Sequence, residues 1–109
     1  MSQRDRRRYI RLEHHFPAKL FKLGLGSPVH GVTMNVSAGG ALIKTTDYRA
    51  FQDEDQATIT LFVPSALSGK DRSALQCNAT VTRIDRQNEG VAVKFDKVLK
   101  QLVQVDKKI

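Results

Sequence analysis

The chain has 109 residues, 40% of them hydrophobic and 27% charged, with a formal net charge of +7 and a pI near 9.9. That length makes one domain with one modest core, the composition excludes a disordered chain, and the basic balance points to an anionic partner. A single cysteine, Cys77, excludes an internal disulfide and fits a reducing cytoplasm; no apolar run has the length of a membrane span, and no hydrophobic segment of a secretory signal follows the basic start.

The chain begins with a basic arm. Residues 4–11 read RDRRRYIR, so Met1 to Leu12 carries five arginines and one acid, a net +4, and the remaining 97 residues carry +3. Arg7 and Arg11 are four apart, and both an extended chain and a helix place such residues on one side. Arg6 and Arg8 flank them, and Tyr9 is the arm's aromatic residue. Alone, this segment reads as a solvated basic tail.

After the arm, Phe16, Ala18 and Leu20 alternate with polar positions and predict a strand, with Pro17 near its start and a bulge or twist where the phase slips at Leu20–Phe21. Gly24, Gly26, Ser27 and Pro28 mark a turn. Val32, Met34 and Val36 then alternate with Thr33, Asn35 and Ser37, which predicts an apolar set facing a core and a polar set facing out. Ala38, Gly39 and Gly40 break that strand, and Ala41, Leu42 and Ile43 resume it on the far side of a turn.

Residues 46–56 read as a polar loop in which Asp53, Glu54 and Asp55 form a solvated charge run. Ala57, Ile59, Leu61 and Val63 predict a strand, and Pro64 to Arg72 a second loop. Leu75, Cys77, Ala79 and Val81 form one face of a long strand whose phase fails at Arg83 and Ile84, where it should bulge or end. Asn88, Glu89 and Gly90 turn the chain into a last strand through Val91, Val93 and Phe95. The period then lengthens: Val98, Leu102, Val105 and Ile109 recur at helical spacing, which predicts a helix over 97–108 with Asp96 as its N-cap. Six short strands without βαβ alternation predict an antiparallel barrel or sandwich.

Catalytic and metal chemistry find no constellation here. His14 and His15 are neighbours that point apart in a strand, His30 stands alone, and one cysteine supplies no zinc spacing. No phosphate-binding loop or dinucleotide fingerprint is present. The expectation is a chain with no catalytic residues, no metal and no cofactor.

Two short motifs carry the remaining signal. Besides the arm, Asn35-Val36-Ser37-Ala38-Gly39-Gly40 places an amide and a hydroxyl on one outward face beside two glycines. By itself this reads as an Asx or Ser turn. Arg7-Arg8-Tyr9-Ile10-Arg11 followed by this Asn-x-Ser-x-x-Gly, and then by Gly90-Val91-Ala92-Val93-Lys94-Phe95, resembles the PilZ domain family over nearly the whole chain.

The resemblance implies a mainly β fold: a six-stranded antiparallel barrel with a C-terminal helix, comprising residues 13–109, and an arm, residues 1–12, that closes over a ligand. It implies a non-catalytic receptor for the bacterial second messenger cyclic di-GMP that passes the signal to a protein partner. Arg6, Arg7, Arg8 and Arg11 on the arm, and Asn35, Ser37 and Gly40 on the barrel, would hold the ligand. Asn35 stands where many members have aspartate, and Arg6 where an extra arginine accompanies a stacked ligand dimer. Arg83 lies near where some members place a base-stacking residue. Physical chemistry agrees: the ligand offers two phosphates and two guanines, and arginine suits both. Two alternatives stand beside this reading. One is a small basic barrel binding RNA or DNA, disfavoured because only Tyr9 lies among the clustered charges. The other is a PilZ-like interaction module without ligand binding.

Overall fold

The computed structural model describes residues 15–64 and 72–98. Six strands are formed: β1 Pro17–Phe21, β2 Val29–Ser37, β3 Gly40–Lys44, β4 Gln56–Pro64, β5 Arg72–Asp85 and β6 Gly90–Phe95. A single 3-10 turn, Tyr48–Ala50, interrupts the connection between β3 and β4. All neighbouring strands pair antiparallel, and the order β1-β2-β3-β6-β5-β4 closes on itself through β1 and β4. Closure leaves no sheet edge among these strands, which removes the unpaired backbone groups that an open sheet exposes. Of the helix expected over 97–108, residues 99–108 lie outside the described residues; Lys97 begins in a bend after β6.

The barrel interior follows the two-residue period. Ala18 and Leu20 of β1, Ala57, Ile59, Leu61 and Val63 of β4, Ala79 and Val81 of β5, and Val91, Val93 and Phe95 of β6 form one buried cluster. Leu20, Ile43, Ile59 and Leu61 are fully inaccessible. Burying each of these side chains contributes roughly 1.5–3 kcal/mol. In β1 the burial alternates without a break through Leu20 and Phe21, so the bulge expected there is absent.

Two irregularities set the outward faces. The β2–β3 register shifts between Thr33 and Asn35, and the β5–β6 register shifts between Val81 and Arg83. The second was expected from the phase failure, although β5 runs on to Asp85 instead of ending. It turns Arg83 outward and returns Ile84 to the inner side, opposite Val91.

The first corrects the reading of β2. Thr33 faces inward, fully buried, and Val32 faces outward, 45% exposed. The extra residue at Met34 then restores Val36 to the core and sends Asn35 and Ser37 outward.

In the acidic loop Asp53 and Glu54 are exposed, as a solvated run requires, and Asp55 is not. Asp55 accepts hydrogen bonds from the Lys22 ammonium at 2.7 Å and from the Gln52 amide at 2.9 Å. Its backbone carbonyl accepts from Val81 N–H at 2.8 Å, so the loop is pinned to β5. Burial raises the Asp55 pKa, but the Lys22 hydrogen bond, the Gln52 amide and the Lys22 charge together outweigh it and hold the carboxyl below its ordinary value.

A carboxyl depressed in the folded state adds stability above its unfolded pKa and loses it as pH falls through the folded one. Wild type should therefore lose more stability than Asp55→Asn as pH falls below the ordinary carboxylate range. Urea unfolding at a series of pH values measures this, and parallel profiles for the two proteins would refute it.

Candidate outer-face site on strands β2, β3, β6 and β5

Strand pairing assembles the barrel-side residues of the expected site. The β2–β3 hairpin pairs Asn35 with Leu42, Val36 with Ala41 and Ser37 with Gly40. Val36 and Ala41 point into the core, so Asn35, Leu42, Ser37 and Gly40 share the outer face. The β3–β6 and β5–β6 registers extend both rows. One row runs Asn35, Leu42, Ala92, Arg83; the next runs Ser37, Gly40, Lys94, Thr80.

Ser37 does two things locally. Its Oγ accepts the Gly39 N–H at 3.2 Å, which turns the chain from β2 into β3. Its O–H remains a donor. The side chain is nearly buried, at 5% exposure. Asn35 is half-buried beside it on the same face.

Gly40 does not have positive φ: Gly24 is the only glycine that does among the described residues. A Cβ on Gly40 would instead collide with the Val93 carbonyl oxygen and press on the Lys94 Cα at 3.4 Å. The residue therefore lets β3 pack against β6.

Thr33 was read as an outward polar residue, and its inward position joins the arm's root to the site. Phe16 N–H donates to Thr33 Oγ1 at 2.8 Å, and Thr33 N–H donates to the Phe16 carbonyl at 2.9 Å. His15 Nδ1 donates to the Thr33 carbonyl at 3.0 Å, so that ring nitrogen carries a proton. The chain enters the barrel on β2 itself, two residues before Asn35 and four before Ser37. Arg6, Arg7, Arg8 and Arg11 lie outside the described residues.

Arg83 is 60% exposed and lies 3.4 Å from the Asp85 carboxylate. It also lines a cleft of about 440 Å³ with Gln52, Asp53 and Arg86. Cys77 faces the inner side opposite Ile59 and is half-buried. Burial first, and the Asp96 carboxylate second, push its pKa up to about 11, so it is a protonated, weakly nucleophilic thiol at neutral pH. No group of three or more His, Cys, Asp or Glu side chains suited to a metal occurs among the described residues. No helix among them is long and apolar enough to cross a membrane.

A family model described as the PilZ domain matches residues 5–105. No curated protein matches. Among solved structures, the fold is similar to the Bacillus subtilis inhibitor of motility MotI/DgrA, with a TM-score of 0.77 at 20% identity. That match covers 95% of this chain and 51% of the other, so the chain spans about half the length of that protein.

It is also similar to the PilZ domain of CeSA from a cellulose-synthesizing bacterium, with a TM-score of 0.63 at 18% identity, covering 91% of this chain and 96% of that one. The PilZ domain of YcgR from Escherichia coli, whose structure was solved with c-di-GMP, gives a TM-score of 0.65 at 19% identity and coverages of 95% and 93%.

Proposed function

The chain belongs to the PilZ domain family, and from that membership we propose that it is a non-catalytic receptor for cyclic di-GMP, held between the arm and the outer face of β2 and β3. Arg7 and Arg11, with Arg6 and Arg8 beside them, pair with the phosphates and with the O6/N7 edges of guanine. Asn35 and Ser37 bond the base from the barrel side. Gly40 keeps β3 close against β6, so the floor between them stays shallow.

The observation that carries this reading is the position of the arm's root. His15 and Phe16 are bonded to Thr33, on the strand that bears Asn35 and Ser37. Arg11 is five residues from Phe16, which spans up to roughly 17 Å of extended chain. Thr33 to Ser37 is four residues, about 13 Å of strand. Arg11 is thus within reach of the Asn35–Ser37 face, and the four-residue spacing lets Arg7 act on the same ligand.

The signal passes by contact with a protein partner. Closing of the arm over the bound ligand changes the surface offered to that partner, with charge-assisted bonds holding it there. The expected compartment is the cytoplasm.

Isothermal titration of the full chain with cyclic di-GMP should show saturable heat and report the number of ligands bound. Ser37→Ala should weaken binding about tenfold, the value of one hydrogen bond to a charged or strongly polar group. No heat with the wild-type protein would overturn the proposal. Binding of generic oligonucleotides that is steep in salt and indifferent to Ser37→Ala would favour the RNA or DNA alternative.

A further inference from the structure

We infer that Lys94, on β6, is a ligand-contacting residue that supplies the barrel's own cation for a phosphate of the bound cyclic dinucleotide; this rests on the function proposed above. The registers put Ser37, Gly40 and Lys94 in one row across β2, β3 and β6. With strands about 4.8 Å apart, Ser37 and Lys94 stand roughly 10 Å from each other on the same outer face. Only Gly40 lies between them, and it has no side chain to separate them. Ala92, two residues before Lys94 on that face, presents only a methyl group. A flat ring laid over Gly40 and Ala92 would have the Ser37 hydroxyl at one side and the Lys94 ammonium at the other.

The charge argument points the same way. Asn35 and Ser37 are neutral, so the motif on the hairpin gives a dianionic ligand no counter-charge. Lys94 is exposed and has no ion pair among the described residues, whereas Lys22 is held by Asp55 at 2.7 Å and Arg83 by Asp85 at 3.4 Å. Asp96, two residues further along, accepts from the Thr80 hydroxyl at 3.4 Å and makes no ion pair with Lys94. Lysine on a flexible stem acts as a point charge for phosphate, and here that charge is available on the ligand's side of the barrel.

The test is titration of cyclic di-GMP into the full chain and its variants. Lys94→Ala should bind about tenfold more weakly. Lys94→Arg should recover most of the affinity, because the charge returns. Lys19→Ala removes an equal charge from β1, on the far wall, and should bind as wild type does. An unchanged thermal midpoint for unliganded Lys94→Ala shows that the barrel is intact. Wild-type affinity in Lys94→Ala, with binding weakened in Ser37→Ala, would overturn the role of Lys94 and leave the receptor function standing. Absence of binding by the wild-type chain would overturn both.

Discussion

A double variant, Arg7→Ala with Arg11→Ala, is expected to bind cyclic di-GMP at least a hundredfold more weakly than wild type. Each arginine offers a charge-assisted or bidentate bond, worth roughly 1.5–3 kcal/mol when lost, and two such losses correspond to a factor of about 10² to 10⁴. A matched control separates site from bulk charge. Lys19→Ala with Arg49→Ala removes the same two charges from positions whose cations sit over Phe62 and Tyr48, at 5.7 and 5.3 Å from the ring centroids.

That control should leave affinity within about twofold, since exposed charges more than a Debye length from a ligand are largely screened at physiological salt. Equal weakening in the two doubles would mean that the protein responds to overall positive charge, as a nonspecific polyanion binder does. Titration calorimetry at one fixed salt concentration decides between them.

Gly40→Ala should destabilise the unliganded barrel by about 2–4 kcal/mol, the range of changes that overpack a tight site or break backbone pairing. The added methyl meets a backbone atom, the Val93 carbonyl oxygen, which is held in the β3–β6 ladder and cannot swing aside like the end of a side chain. Gly26→Ala is the control, because nothing lies within 4 Å of its added carbon and its φ is ordinary. It should be neutral or slightly stabilising.

Urea unfolding measures both. A Gly40→Ala midpoint equal to wild type would refute the packing account. The result also governs how binding data are read. Loss of affinity in a Gly40 variant reports a distorted hairpin as readily as a lost contact, and Ser37→Ala, which removes the acceptor of the Gly39 N–H, needs the same stability control.

The interior was legible wherever the strands keep a strict period. Ala57, Ile59, Leu61 and Val63 alternate in sequence and are buried in β4 as that alternation demands. Arg83 was legible as an anomaly: a charge at inward parity in a barrel must be relieved by a bulge, and one occurs between Val81 and Arg83. Thr33 was not legible in the same way. Val32-Thr33-Met34-Asn35-Val36 reads as unbroken alternation, and hydrophobicity favours Val32 inside.

The bulge reverses that assignment for the first half of β2, and the buried Thr33 hydroxyl gains a partner in the Phe16 N–H. Nothing local to the sequence announces a bulge that leaves a plausible pattern on either side. Asp55 was misread for a related reason. Its partner, Lys22, is 33 residues away and meets it only after β1 pairs with β4.

Sequence by itself determined the family, through two motifs whose order and spacing are properties of one chain, and the strand count, through local alternation. Arg7, Arg11, Asn35 and Ser37 were named from those motifs alone. Only the tertiary structure decided which side chains share a face with Asn35 and Ser37. Asn35 and Arg83 stand in one row, and Ser37 and Lys94 in another, because hydrogen-bond registers join strands up to 57 residues apart. The same pairing sets the root of the arm on Thr33, beside the hairpin. Register is fixed by which inward faces pack together, and a shift of one residue would turn every one of these side chains to the other side of the barrel wall.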